Sequence, residues 1–443
     1  MARLGVYSIA IKTIISLCVV KISCQFNNVG SLKLPEELPD LASYTQQPQR
    51  NGSEISPLSL VMLPTRFQEK ARCLDGSPFG YYIRRSNSQT NSRKWILFLM
   101  GGGACITPKD CIERKASPRG WGSSTVWNST FLPGRDYPGL RAMHDILSDN
   151  PIHNPHFFDH NHVYLQYCSG DIWTGTRDSF DRYGLWFSGH NNIQAAITHL
   201  NETENFTNAT HVLVIGVSAG GWGLFNNIDH IREKLIARSA VVKGVPVDGF
   251  IPAGPATLYQ FYPYGLFLPL NGALTRYLSS WWRSALDESC RKSHWRWRQH
   301  RCLDASFVFK HVDSSLFVIQ NRFDKLIMEE FLRAPLSSTS NSKTRRFTKW
   351  YGDLTLKGLT SNAKSTSGRR KGHGLFVPSC LEHAGNFCIN NGTTTNGRSL
   401  NEMLPEWFLE TNLWKASANQ EIDRCNDEDN TSLPCNNNCK CSG

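Results

Sequence analysis

The run His211–Val217 is apolar and leads straight into Gly216-Val217-Ser218-Ala219-Gly220-Gly221. From Ala219 to about Ala237, Leu224, Ile228, Ile231 and Leu235 then fall on one helical stripe. A strand, a glycine-rich turn and a helix in immediate succession form a βα unit, which belongs to α/β architectures with a parallel sheet. The same turn lifts a serine Oγ clear of the backbone, and its tightness demands small neighbours. The helix start behind it brings free backbone N–H groups to the reacting centre. A bare G-x-S-x-G is common by chance, but this context makes Ser218 the candidate nucleophile. The non-catalytic alternative is a glycine-rich helix start capped by a serine.

A serine hydroxyl is a poor nucleophile near neutrality, so a histidine must take its proton and a carboxylate must hold that imidazole. On scaffolds with this elbow the chain order is serine, acid, histidine. The run 316–320 leads into Asn321-Arg322-Phe323-Asp324, and an acid just past a strand's C-terminal end is correctly placed. Asp324 therefore leads, ahead of Asp353 and Asp248. His383 lies in Pro378-Ser379-Cys380-Leu381-Glu382-His383, where a disulfide at Cys380 would fix its loop. His373 is the alternative and follows Arg369-Arg370-Lys371-Gly372, which reads as mobile. A second glycine element, Gly101-Gly102-Gly103, ends the apolar run 95–100. Glycine there lets a substrate carbonyl approach the main chain, so Gly102, Gly103 and Ala219 are the candidate oxyanion donors.

Further strands are expected at 81–84, 95–100, 163–167 and 316–320. A length of 443 residues suggests about three domains at ~150 each, but no repeat or boundary divides the α/β rhythm. Residues 59–443 read as one decorated domain preceded by a polar, flexible segment, 25–58. The aromatic-rich stretch 255–288 suits a helical cap over a cleft. Residues 335–372, rich in Ser, Thr, Lys and Arg, suit a mobile surface insertion.

Residues 1–24 combine Arg3 and Lys12 with a short apolar run and small residues near Ser23, the pattern of a cleaved secretory signal. That run falls short of the ~20 residues that cross a bilayer, and no later segment qualifies. Of 14 cysteines, Cys18 and Cys24 lie in the leader, leaving 14 − 2 = 12, an even number suited to an oxidising compartment. Sequons begin at Asn51, Asn128, Asn201, Asn205, Asn208, Asn391 and Asn430. A secreted, extracellular glycoprotein is expected.

These motifs together resemble the Notum and pectin acetylesterase family of secreted α/β hydrolases, from roughly Cys73 to Cys441. The resemblance rests on Cys73-Leu74-Asp75-Gly76-Ser77-Pro78, the Gly101-Gly102-Gly103 loop with Cys105 and Cys111, and Tyr167-Cys168-Ser169-Gly170-Asp171-Ile172-Trp173. The 216–221 elbow, Phe323-Asp324 and Ser379-Cys380-Leu381-x-His383 complete it. It implies an α/β-hydrolase fold with a mostly parallel sheet, a helical cap and a disulfide-pinned C-terminal segment. It also implies a Ser218, Asp324, His383 triad and the bridges Cys73–Cys168, Cys105–Cys111 and Cys290–Cys302. Cys380, Cys388, Cys425, Cys435, Cys439 and Cys441 are left unpaired by it.

The implied activity is hydrolysis of an O-acyl ester by a serine carboxylesterase. The leading substrate is a fatty acyl (palmitoleoyl) ester on a secreted Wnt-type signalling protein, and the alternative is an acetylated polysaccharide such as pectin. The Notum branch carries Gly-Gly-Trp-aromatic-Cys and the pectin branch Gly-Gly-Gly-Trp-Cys, whereas this chain has Gly101-Gly102-Gly103-Ala104-Cys105. Loss of the ring widens the pocket, and aromatics between Tyr259 and Phe267 are expected to supply the missing wall. Met100 replaces an acid usual in both branches.

Lys plus Arg number 48 against 37 acidic residues, and the net charge of +11 favours an anionic partner. Cys290 to Cys302 encloses Arg291, Lys292, Arg296, Arg298 and Arg301 with Trp295 and Trp297. For a secreted protein the expected anion is a sulfated glycosaminoglycan, not nucleic acid. The alternative is a plain solvated disulfide loop, and a catalytically weak glycan-binding protein of the same fold is the rival function. His153, His156, Asp159, His160 and His162 read as a surface loop rather than a metal site, and no cofactor is expected.

Overall fold

The computed structural model describes residues 55–133, 144–252, 272–332, 334, 336, 342–390, 392–423, 425 and 434–441. The leader, most of the segment 25–58 and the aromatics between Tyr259 and Phe267 lie outside the described residues, as do the sequon asparagines Asn51, Asn391 and Asn430.

The strands are β1 (Leu58–Met62), β2 (Gly80–Arg84), β3 (Lys94–Leu99), β4 (Thr130–Phe131), β5 (Asn161–Leu165), β6 (His211–Val217) and β7 (Val241–Val247). They continue with β8 (Phe317–Ile319), β9 (Phe323–Asp324), β10 (Gly374–Val377), β11 (Leu381–Glu382), β12 (Thr394–Thr395), β13 (Arg398–Ser399) and β14 (Gln420–Ile422). Ten of them form one sheet in the order β14-β10-β8-β7-β6-β3-β5-β2-β1-β4. From β14 to β5 every neighbouring pair is parallel, and β2, β1 and β4 close the other edge antiparallel.

Strands buried on both faces need not alternate polar and apolar residues, so β3 and β6 read as continuous apolar runs. Helices α1 (Pro108–Lys115), α2 (Gly189–Thr203), α3 (Ala219–His230), α4 (Gly272–Trp282), α5 (Ser342–Ala363) and α6 (Leu400–Leu409) supply the covering layers. Helix α3 packs on β6 and β7, and a π-helical turn, Ile231–Leu235, prolongs it over most of the expected helical stripe.

Two expectations are corrected. The segment 335–372 contains the 22-residue helix α5, whose Phe347, Tyr351, Thr355 and Leu359 are buried at helical spacing, so it is part of the packed fold. The histidine run is not a surface loop throughout. His162 belongs to β5 and is fully buried, donating from Nε2 to the Phe157 carbonyl (2.8 Å) and accepting at Nδ1 from Arg84 (2.6 Å). Residues 58–62 form the first strand, at the start of the expected domain. It pairs with β2, which brings its backbone N–H and C=O groups into the sheet.

Candidate active site

The elbow follows from the register of three adjacent strands. Leu99 of β3 lies opposite Gly216 of β6, and Val217 opposite Val247 of β7, so both glycine elements emerge side by side. Ser218 takes φ 56° and ψ −117°, a region that a non-glycine residue occupies only when its surroundings enforce it. Its N–H donates to the Val247 carbonyl (2.7 Å), and its carbonyl accepts from the Trp222 N–H (2.9 Å). The neighbours must be glycine. A Cβ on Gly101 would lie 2.7 Å from the Val217 carbonyl oxygen, and one on Gly221 would lie 2.7 Å from that of Val247. Cβ atoms on Gly216 and Gly220 would press still harder into backbone oxygens.

Ser218, His383 and Asp324 meet at the C-terminal edge of the sheet. His383 Nε2 lies 2.9 Å from Ser218 Oγ, and His383 Nδ1 lies 3.0 and 2.9 Å from the two Asp324 oxygens. The small parallel pair β9–β11 sets this contact, because it aligns Phe323 with Leu381 and Asp324 with Glu382, the residue before the histidine. Asp324 is buried and also accepts the Ile327 N–H (3.1 Å). Burial opposes a charged imidazole, but the charge of Asp324 and its hydrogen bond outweigh that and raise the His383 pKa to about 9.

The alternatives fall elsewhere or act differently. His373 sits at the opposite end of β10, buried, accepting the Leu316 N–H at Nδ1 (3.2 Å), and burial pushes its pKa down to about 3. Asp353 is exposed on α5 and paired with Arg322 (2.9 Å). Asp248 does enter the site, with a carboxylate oxygen within 4.8 Å of ligand atoms of both Asp324 and His383. It accepts the Asn321 N–H and side-chain amide (both 2.7 Å) and the N–H of Ala384, the residue after the histidine (2.6 Å). Burial, and then the charge of Asp324, raise the Asp248 pKa to about 7. Its place just past the end of β7 was the available sequence signal, but β7 contains Gly244 and Pro246 and does not announce itself as a strand.

Gly103, Ala104 and Ala219 line one cavity with Ser218 and His383. The rest of the wall is mostly apolar, with Ile172 and Trp222 beside the elbow, Leu278 and Trp282 from α4, and Ile327 beyond Asp324, and Asp248 also lines it. Helix α4 thus supplies the described part of the expected cap. Among the described residues no acceptor takes the N–H of Gly103 or of Ala219. Gly102 does not line the cavity, and its carbonyl accepts from Arg114 Nη1 (2.7 Å).

The protein has the bonds Cys73–Cys168, Cys105–Cys111 and Cys290–Cys302, and adds Cys380–Cys439, Cys388–Cys441 and Cys425–Cys435. In the basic loop, Trp295 and Trp297 are 78% and 64% exposed. Arg298, His300 and Arg301 share an open pocket with Arg276 of α4, which the sequence reading did not include. Arg291, Lys292 and Arg296 lie outside that pocket, and Lys292 is paired with Glu288 (2.7 Å). Asn128, Asn205 and Asn208 are exposed, whereas the Asn201 amide donates to the Leu235 carbonyl (2.9 Å).

A serine on a strained strand-to-helix elbow, hydrogen-bonded to a histidine and an acid from later strand ends, on a mostly parallel sheet, is the architecture of an α/β hydrolase. The solved structure of the Wnt deacylase Notum from Drosophila shares it, with a TM-score of 0.66 at 25% identity, covering 87% of this chain and 99% of that one. Residues 52–440 match the pectinacetylesterase family, and the chain belongs to that family. The palmitoleoyl-protein carboxylesterase NOTUM of Schmidtea mediterranea is 27% identical over 343 residues, 76% of this chain and 60% of the relative. That of Drosophila melanogaster is 31% identical over 321 residues, 70% and 42%, and that of Homo sapiens 29% over 256 residues, 57% and 49%. The chain spans about half the length of the curated relatives it matches. Among the described residues no helix is long and apolar enough to cross a membrane.

Proposed function

We propose that this protein is a secreted serine carboxylesterase that removes a fatty acyl group, of the palmitoleoyl kind, from a hydroxyl of a secreted Wnt-type signalling protein. The observation that carries the reading is the Ser218–His383–Asp324 hydrogen-bonded chain opening into an apolar cavity. His383 Nε2 takes the proton of Ser218 as Oγ attacks the ester carbonyl carbon. The tetrahedral oxyanion is held by backbone N–H groups of Gly103 and Ala219, with Gly102 completing the loop. His383 then gives its proton to the departing alcohol oxygen, leaving an acyl-serine. A water attacks that ester with His383 again as base, the C–Oγ bond breaks as His383 returns the proton to Ser218, and the free acid leaves. Asp324 orients the imidazole and stabilises its charged form. The mechanism needs no metal or cofactor.

The second reading is an acetylesterase of a polysaccharide such as pectin, favoured by the third glycine of the 101–103 loop. Nitrophenyl esters of increasing chain length separate the two. The lipid reading expects kcat/KM to rise from acetate to medium chains, and a strict preference for acetate sinks it. Ser218→Ala should lower hydrolysis by about 10⁴-fold or more, and retained activity removes Ser218 as the nucleophile.

The six disulfides and exposed Asn128, Asn205 and Asn208 support an extracellular site of action. The pocket of Arg276, Arg298 and Arg301 supports association with a sulfated glycosaminoglycan. Heparin retention that survives neutralising all three dismisses this pocket as the binding site. The rival reading, a catalytically weak glycan-binding protein, predicts heparin retention without ester hydrolysis.

A further inference from the structure

Arg114 is buried behind the glycine loop, and it is not an ion-pair residue. Its guanidinium lies 5.0 Å from the Tyr167 ring centroid and 5.5 Å from that of Trp121, and it makes no ion pair among the described residues, the charges of Asp110 and Asp171 acting on it from farther off. Leaving a cation in such a place is costly unless its donors are used. Nη1 donates to the Gly102 carbonyl (2.7 Å) and Nε to the Trp121 carbonyl (3.1 Å). Nη2 is buried and has no partner among the described residues. A Cβ on Gly170 would stand 3.3 Å from the methylene Cδ of Arg114, so the missing side chain there leaves the space that Arg114 passes through.

The consequence lies in the peptide that follows. In a trans peptide the C=O and N–H vectors point opposite ways. With the Gly102 oxygen held on the Arg114 side, the Gly103 N–H of the same peptide is turned away from Arg114. Gly103 is the residue of the pair that lines the cavity with Ser218, and its N–H has no acceptor among the described residues. Gly102 and Gly103 have φ 134° and 68°, and glycines in that region flip readily unless something pins them. Arg114 rides on α1 with Cys111, whose bond to Cys105 anchors the far end of the loop.

We infer that Arg114 is a positioning residue for the oxyanion hole, fixing the Gly102–Gly103 peptide so that the Gly103 N–H faces the carbonyl under attack. This rests on the serine-esterase reading above. The test compares Arg114→Met and Arg114→Lys with the wild-type and Ser218→Ala proteins. The measurements are kcat and KM on one nitrophenyl ester, thermal melting, affinity for a trifluoromethyl ketone that forms a tetrahedral adduct, and affinity for the product acid. Arg114→Met should lower kcat by about 10²-fold with little change in KM, the size expected for losing one oxyanion donor. It should weaken the ketone by a similar factor and leave the product acid unaffected. Arg114→Lys keeps the charge but not the two-carbonyl fork, and should recover part of kcat. If Arg114→Met does not fold, Arg114→Lys carries the test alone, with the loss again confined to kcat and ketone affinity. A folded Arg114→Met variant, or Arg114→Lys where Met does not fold, with wild-type kcat and ketone affinity overturns the inference, as does equal loss of ketone and acid binding. Activity in Ser218→Ala overturns the esterase reading itself, a different failure.

Discussion

His383 stands between one hydroxyl and two carboxylates, and that balance fixes how the site responds to pH. The base must be neutral, and the charge of Asp324 with its hydrogen bond raises the imidazole pKa to about 9 against the opposing pull of burial. The neutral fraction therefore grows as pH rises, and kcat/KM should climb to an inflection near 9. Asp324→Asn removes the charge that raises this pKa, so the inflection should move to lower pH while kcat falls by about 10⁴-fold. An unmoved inflection in that variant separates Asp324 from the titrating group. Asp248, fully hydrogen-bonded to Asn321 and Ala384, remains in the variant, so part of the upward shift should persist.

At the scale of elements, the elbow is the most demanding piece of backbone. A Cβ on Gly220 would enter the carbonyl oxygen of Leu99, a main-chain atom held in β3 that cannot turn aside. Gly220→Ala should therefore cost about 1–3 kcal/mol or more and lower kcat, because relief requires moving the strand or the serine. A wild-type melting temperature and kcat in that variant contradict the packing argument. This element was also the most legible in the sequence. An apolar strand, small residues and an amphipathic helix each carry a local signal, and they agree. Strand β7 and helix α5 were not legible. The first is broken by Gly244 and Pro246, and its identity comes from lying between β6 and β8. The second is rich in Ser, Thr, Lys and Arg, and a sparse stripe led by Phe347 and Tyr351 only gains meaning once a surface exists to bury it. The Asp324–His383 contact was legible as chain order alone. The β9–β11 register that makes it a contact is two residues long, below what periodicity can detect.

Across the whole molecule, the covalent links are unevenly spread. The bonds Cys380–Cys439 and Cys388–Cys441 lie on either side of His383 in sequence, joining its loop to a distant segment across separations of 59 and 53 residues. On the loop-closure account each is worth about 4 kcal/mol. They fasten the histidine loop more than the sheet. Replacing Cys439 and Cys441 by serine should therefore depress kcat while far-ultraviolet dichroism stays close to wild type. Full activity in that variant shows that the β9–β11 pair and Asp248 suffice to hold the loop.

Chain growth places His383 in the polypeptide well before the cysteines that fasten it have been made. Full competence on the proposed reading thus depends on oxidation as well as on synthesis. A chain whose cysteines are still reduced has its serine, acid and base but a less firmly anchored base, and should turn over acyl esters more slowly.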